Sequence, residues 1–198
     1  FHEEICQRHF TQRRRRAFIR QKIAECQRRH TTFTDTVNLM EPNVKESPGG
    51  LRDYHTALWV GMACYQANTL ETLVDHSILA PSDCEAIETA LDFLFRVRNA
   101  LHYHYGRKND LLSVDVQERL AAALGFTPSA NKLAVEHFLK AYYVQANVIY
   151  NFCASMTNMV TRSSQSRLRR LWHRRQRLGV DRPAGGRTVC RVMSMRML

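Results

Sequence analysis

At 198 residues and 44% hydrophobic content the chain is long enough to bury one real core, and a disordered composition is excluded. The net charge of +11 suggests a nucleic-acid binder until it is divided along the chain: residues 162–198 hold eleven Arg against the single acid Asp181, or +10, which leaves +1 for residues 1–161. A near-neutral body lacks the clustered basic face that nucleic acid needs, so any such affinity is expected to reside in the tail alone. No run of 18 apolar residues and no signal-peptide pattern is present, so no membrane span is expected and a cytoplasmic location is. The six cysteines, Cys6, Cys26, Cys64, Cys84, Cys153 and Cys190, form no Cys-x-x-Cys pair and show no His partner that signals zinc. They are expected to be reduced, buried and inert.

In chain order, residues 1 to about 30 read as a charged helix with a thin apolar stripe, Ile5, Phe10, Phe18, Ile19 and Ile23, beside the run Arg13-Arg14-Arg15-Arg16. The Arg run is expected to be a solvated face, and the Thr-rich stretch Thr31–Thr36 is expected to break the helix. Leu51, Leu58, Trp59 and Met62 fit one buried helix face. A short piece follows from about Leu70 to Leu79, and then Ser82-Asp83-Cys84-Glu85 has the form of a capping box. It is expected to open a long helix with Ile87, Leu91, Leu94, Phe95 and Leu101 inward, stopped at Gly106. A turn at Lys108-Asn109-Asp110 precedes a shorter helix over Leu111–Leu124, stopped by Gly125. Thr127-Pro128-Ser129 then starts a last helix with Leu133, Phe138, Leu139, Tyr142, Val148, Ile149 and Phe152 as its apolar set, running to about Val160. Nothing alternates with period two, so the fold class is all-α, an antiparallel helical bundle with room for one short strand near the Pro-Gly-Gly loop. The domains are residues 1–161, helical, and 162–198, a basic tail whose lost apolar period predicts disorder or weak helix. The Phe start and the Met-rich end suggest a fragment, with a truncated gene or altered frame as one explanation of the tail.

The most informative stretch is Glu41-Pro42-Asn43-Val44-Lys45-Glu46-Ser47-Pro48-Gly49-Gly50-Leu51-Arg52-Asp53. Two prolines fix φ while Gly49 and Gly50 permit positive φ and close approach, so a tight reversal presents Lys45, Arg52 and Asp53. No Gly-Lys-Ser/Thr follows, so this is not a Walker loop, and it is not a dinucleotide fingerprint either. An ordinary loop with solvated charges is the alternative. Arg96 and Arg98 are two apart on a helix and point about 200° from each other, so one could face a ligand. Ion pairs with Asp92 or Asp110 are the plainer expectation for them. His102 and His104 have the wrong spacing to share a metal on a helix.

The thirteen-residue stretch, with His55-Thr56 and Leu58-Trp59-Val60 after it, resembles the central region of the bacterial PII uridylyltransferase/uridylyl-removing enzyme family. The same order of features continues in Phe95-Arg96-Val97-Arg98-Asn99-Ala100-Leu101-His102, in Arg107, in Asn109 to Leu112, and in Val135-Glu136 leading to Tyr142-Tyr143, so the similarity covers roughly residues 3–160. The resemblance implies a parent whose polymerase-β-type nucleotidyltransferase domain moves UMP from UTP to a tyrosine of the PII nitrogen-signalling protein. A His-Asp phosphohydrolase domain of the parent removes it, and C-terminal modules sense glutamine. This chain resembles the helical segment between the first two domains and lacks the Gly-Ser and Asp-x-Asp pair of the one and the His-Asp pairs of the other. It is therefore not expected to catalyse alone, and its parent's partners would be UTP with Mg²⁺ and the PII protein.

Nucleotidyl transfer works by metal positioning and charge neutralisation on a triphosphate, which assigns hypothetical roles by resemblance. Asp53 would be a third carboxylate or metal-orienting group; Lys45, Gly49, Gly50 and Arg52 would face UTP phosphates or the PII loop, with Arg96 and Arg98 as weaker candidates. The alternative for Asp53 is a cap on a helix beginning at Tyr54. A glutamine synthetase adenylyltransferase-like enzyme shares a Gly-Gly-hydrophobic-Arg-acid motif, but Tyr54-His55 argues against it. A non-catalytic helical interaction module is the reading from another class.

Overall fold

The computed structural model describes the backbone of residues 12–33 and 36–177, and the side chains of residues 13–33 and 36–161. Two units divide the chain, Phe1–Val160 and Thr161–Leu198, and the described core belongs to the first. Among the described residues the secondary structure is helical: α1 (Gln12–Thr32), α2 (Leu51–Tyr65), α3 (Leu70–Asp75), α4 (Pro81–Tyr105), α5 (Val114–Ala123) and α6 (Ala134–Arg177). The protein is all-α. The strand allowed for near the Pro-Gly-Gly loop amounts to one antiparallel bridge, Asn43 with Leu111.

Helix α1 runs antiparallel to both α2 and α6, as four contacts show: Lys22 lies over the Trp59 ring at 4.5 Å and His30 bonds to Asp53, while Cys26 Sγ lies 3.9 Å from Cys153 Sγ and His30 stacks on Tyr150. The stripe of α1 packs as expected, with Ile19 and Cys26 buried and Phe18 and Ile23 half-buried, while Arg13 and Arg16 are exposed. The helix ends inside the Thr-rich stretch, as expected, with Thr31 and Thr32 as its last two residues. Thr31 and Thr32 hydroxyls donate back to the Arg28 carbonyl at 2.8 and 3.0 Å, which keeps both in the last turn.

In α2 the buried face is not the one that side-chain size suggests: Leu51, Asp53, Thr56, Ala57, Val60, Gly61 and Ala63 go inside, and Leu58, Trp59 and Met62 are half-buried. Small residues are needed there because neighbours come close; a Cβ on Gly61 would stand 3.3 Å from Met156 Cε, Leu73 Cδ2 and the Ala67 carbonyl oxygen. Helix α4 buries Ile87, Ala90, Leu94, Val97 and Leu101, while Phe95 is 41% exposed. Phe93, Phe126 and Phe138 gather their rings within 6.5 Å, joining α4 to α6 and to the turn after α5.

Several helix ends differ from expectation, each for a local reason. Helix α4 starts at Pro81 with Ala80 as a cap that makes no side-chain bond, so Ser82-Asp83-Cys84-Glu85 is not a capping box; proline's fixed φ sets the first turn one residue earlier. The capping box is at α3, where Thr69 and Thr72 exchange side-chain to backbone bonds at 3.1 and 3.3 Å. Leu111 is in the bridge rather than in α5, and α6 begins at Ala134 because Ser129 and Lys132 close a small turn first. Helix α6 stays helical to Arg177, beyond Val160, through a stretch of good helix formers without Gly or Pro. Residues 162–177, where disorder or weak helix was expected, are helical, and residues 178–198 lie outside the described residues.

No helix among the described residues is long and apolar enough to cross a membrane.

Candidate functional site

The turn over residues 41–53 is built from short-range hydrogen bonds in which side chains and backbone both take part. Asn43 Oδ1 accepts from the Lys45 and Glu46 amides at 3.1 and 2.9 Å, and Ser47 Oγ accepts from the Asn43 amide at 2.8 Å. The bridge to the other loop is made by Val44 N–H donating to the Asp110 carbonyl and Leu112 N–H donating to the Pro42 carbonyl, at 2.8 and 2.9 Å. The first amides of α2, on Leu51, Arg52 and Asp53, donate to the carbonyls of Val44, Lys45 and Gly50 at 3.1, 2.9 and 3.0 Å. These are the donors that a phosphate would use at a helix N-terminus, and here the loop itself takes them.

The glycines are required by approach. Gly49 has φ +77°, and a Cβ there would lie 2.2 Å from the Ala146 carbonyl oxygen of α6; one on Gly50 would lie 2.8 Å from the Val44 and Lys45 carbonyl oxygens. Thus α6 packs directly on the backbone of the turn. The Gly49 amide, pointed inward by this conformation, donates to Asp53 Oδ2 at 2.8 Å.

Asp53 is the centre of the arrangement and is fully buried. Helix α2 begins at Leu51 after Gly50, so Asp53 is its third residue and not the cap of a helix starting at Tyr54. His30 Nε2 lies 2.9 Å from each carboxylate oxygen, and Arg29 Nη2 donates to Oδ1. Cys26, one turn before His30 on α1, brings its Sγ to 3.5 Å from Asp53 Oδ1, 3.5 Å from His30 Nε2 and 3.9 Å from Cys153 Sγ on α6. Four elements therefore meet at one carboxylate: the turn, α1, α2 and, through Cys153, α6.

The electrostatics follow from this enclosure. Burial alone would raise the Asp53 carboxyl, but the bonds from His30 and the Gly49 amide and the charge of Arg29 hold it below its ordinary value. Burial would lower the His30 imidazole, yet Asp53 and Cys26 raise it to about 9. Cys26 is lowered to about 6, first by its hydrogen bond with Cys153 and then by His30, against the opposing effect of burial; Cys153 is pushed up correspondingly by Cys26 and by burial. The cluster thus favours the charged forms of the Asp53 carboxylate, the His30 imidazole and the Cys26 thiol beside the Arg29 guanidinium.

The remaining expected site residues stand elsewhere. Lys45 and Arg52 lie at the half-exposed rim of the turn, where both meet Glu46, at 3.6 Å for Lys45 Nζ and 3.2 Å for Arg52 Nε. Arg98 Nε donates to Asp110 Oδ1 at 2.7 Å, the ion-pair alternative, and His102 Nε2 reaches the same oxygen at 3.0 Å. Arg96 is exposed. The turn brings Lys45, Gly49, Gly50, Arg52 and Asp53 together, but Asp53 faces inward and the cations face outward.

Asp53 and its surroundings do not fit Mg²⁺. That ion takes an octahedron of oxygens with several waters and substrate phosphates, whereas this carboxylate is enclosed by a guanidinium, an imidazole, an amide and a sulfur. Cys26, Arg29, His30 and Cys153 are absent from the sequence expectations. Cys26-x-x-x-His30 is the signal for them: four apart on a helix, the two side chains share one face, which corrects the reading that no cysteine has a close His.

The described residues form an all-helical domain whose glycine turn is anchored on the buried Asp53 carboxylate, which Cys26, Arg29 and His30 surround. The GlnD PII-uridylyltransferase family matches residues 17–157, and the chain belongs to it. Among its relatives are bifunctional uridylyltransferase/uridylyl-removing enzymes of three bacteria. That of Pseudomonas aeruginosa is 43% identical over 126 residues, covering 64% of this chain and 14% of the relative. That of Pseudomonas putida strain W619 is 41% identical over 136 residues, 69% and 15% of the two chains. That of Azotobacter vinelandii is 41% identical over 128 residues, 65% and 14%. The chain thus spans about one seventh of the length of the curated relatives it matches. No solved structure matches it.

Proposed function

We propose that this chain is the helical segment of a PII uridylyltransferase, an enzyme that moves UMP from UTP to a tyrosine of the PII protein, and that it acts by docking and positioning rather than by chemistry of its own. The observation that carries this reading is the family match over residues 17–157, which takes in the whole of the glycine turn. In this reading the turn is a rigid rim. Asp53 fixes it from within, and Lys45 and Arg52 offer two cations at its edge, where Glu46 holds them in a weak, exposed pairing that a phosphate or an acidic partner loop could replace. Mg²⁺ and the nucleotide would belong to the transferase domain of the parent.

Docking has a surface beside that rim. Met40, Leu111 and Val114 are 79%, 39% and 53% exposed, and they sit together because Gln117 Nε2 donates to the Met40 carbonyl and the Val114 amide donates to Glu41 Oε1. Such a patch on a folded unit suits contact with a neighbouring domain.

The test is calorimetric titration of UTP with Mg²⁺ into this chain, and into its mixture with the nucleotidyltransferase domain of the Pseudomonas aeruginosa relative. Binding that is tighter in the mixture than with the transferase domain alone, and that weakens with Arg52→Ala or Lys45→Ala, supports the reading. Equal binding with and without this chain, whatever the variant, rejects a role at the nucleotide.

A further inference from the structure

The cluster at the centre of the fold has the composition and spacing of a transition-metal site. Its donors are two sulfurs, one imidazole nitrogen and one carboxylate, carried by α1, α2 and α6. A tetrahedral Zn²⁺ with sulfur at about 2.3 Å and nitrogen or oxygen at about 2.0–2.2 Å holds its donors about 3.4–3.8 Å apart. The observed separations are 3.9 Å from Cys26 Sγ to Cys153 Sγ, 3.5 Å from Cys26 Sγ to His30 Nε2, and 3.5 Å from Cys26 Sγ to Asp53 Oδ1. The His30 to Asp53 separation, 2.9 Å, is that of a hydrogen bond and would open by about half an ångström around an ion. The ligating atoms of Cys26, His30 and Asp53 all lie within 4.8 Å of one another. Cys153 Sγ stands beside Cys26 but outside that group of three, and would turn in from α6 to complete the set.

We infer that Cys26, His30 and Asp53 bind a structural Zn²⁺ ion, with Cys153 as the fourth ligand closing the site from α6.

Charge and enclosure argue for it as well as distance. Two thiolates and one carboxylate, set against a divalent ion and the Arg29 guanidinium, sum to zero, which is the condition for holding charges in an interior. Arg29 Nη2 already donates to both Asp53 Oδ1 and Cys26 Sγ, the outer-shell role that orients ligands and tempers their charge. The Gly49 amide holds the other carboxylate oxygen, so an ion would share Oδ1 with Arg29. Sulfur and imidazole donors select zinc over the magnesium that the nucleotide would carry. Such an ion would tie three helices and the glycine turn together, and the closed set of four protein ligands gives it a structural rather than a catalytic character.

The experiment uses the full chain, stripped with chelator under reducing conditions and then titrated with Zn²⁺ or Co²⁺. The expected result is one ion per chain, a rise in melting temperature on adding zinc, and for cobalt the strong visible bands of a tetrahedral ion together with a thiolate charge-transfer band. Cys26→Ser and His30→Gln should lose the ion while keeping their helical circular dichroism, and Arg29→Lys should weaken it by about 10–100-fold. Cys6→Ser and Cys190→Ser should bind as the parent does. The proposal is overturned if the reduced parent chain binds no ion, if cobalt gives no thiolate band, if the Cys6 or Cys190 variants lose the ion, or if Cys26 and Cys153 are recovered as a disulfide that reduction does not convert into a zinc-binding pair.

Discussion

Gly49 shows how much of this fold rests on a missing side chain. Its positive φ and the Ala146 carbonyl oxygen, 2.2 Å from where a Cβ would be, act against substitution together, and the obstacle is backbone rather than a side chain that could turn away. Gly49→Ala should therefore lose about 3 kcal/mol or more of stability, read from the urea unfolding midpoint. Asp110 makes a prediction of the opposite kind, in pH. Burial would raise its carboxyl, but Arg98 and His102 hold it below the ordinary value of 3.8. A depressed folded-state value means a contribution fully present above that pH and lost as pH falls through the lower, folded value. Asp110→Asn should be less stable than the parent at neutral pH, and the gap between the two should close below about pH 4, as acid unfolding of both will show.

At the scale of elements, the helices that carry strong apolar periods were legible from residues alone, and so was the glycine stop of α4 at Gly106, whereas most of the N-terminal ends were not. Ile87, Leu94 and Leu101 mark α4 because they recur at helical spacing, but Phe95 counts as apolar in such a reading and lies outward at 41% exposure. Only the neighbouring elements decide which side of a broad stripe goes inside. The buried face of α2 was hidden for a related reason: Asp53, Thr56, Ala57 and Gly61 are small or polar and register weakly in a hydrophobic pattern, yet close packing demands them. The candidate cluster was half legible. The glycine turn and Asp53 stand out in the sequence, and Cys26-x-x-x-His30 is there to be read, but Cys153 is 127 residues from Cys26 and only the docking of α6 on α1 brings them together. Phe138 tests the seating of α6 on its other neighbours, α4 and the turn after α5. It is fully buried between Phe93 and Phe126, so Phe138→Ala should cost about 3–5 kcal/mol by chemical denaturation, while Leu133→Ala, at a position 64% exposed on the approach to the same helix, should cost little.

For the whole molecule, the arrangement separates what holds the domain together from what it offers to others. The buried cluster joins α1, α2, α6 and the turn, and the cations Lys45 and Arg52 with the apolar Met40, Leu111 and Val114 remain at the surface. Met40→Ser with Val114→Ser should leave the unfolding midpoint within about 0.5 kcal/mol of the parent and weaken association with a transferase domain in a pull-down or titration. The central claim is that Asp53 serves the fold, and urea unfolding of Asp53→Asn at neutral pH tests it most directly. Removing the carboxylate leaves Arg29 and His30 facing each other in the interior, so the account predicts a loss of about 3–5 kcal/mol, with Arg52→Ala nearly unchanged. An Asp53→Asn chain as stable as the parent would contradict it and return that carboxylate to the chemistry of the nucleotide.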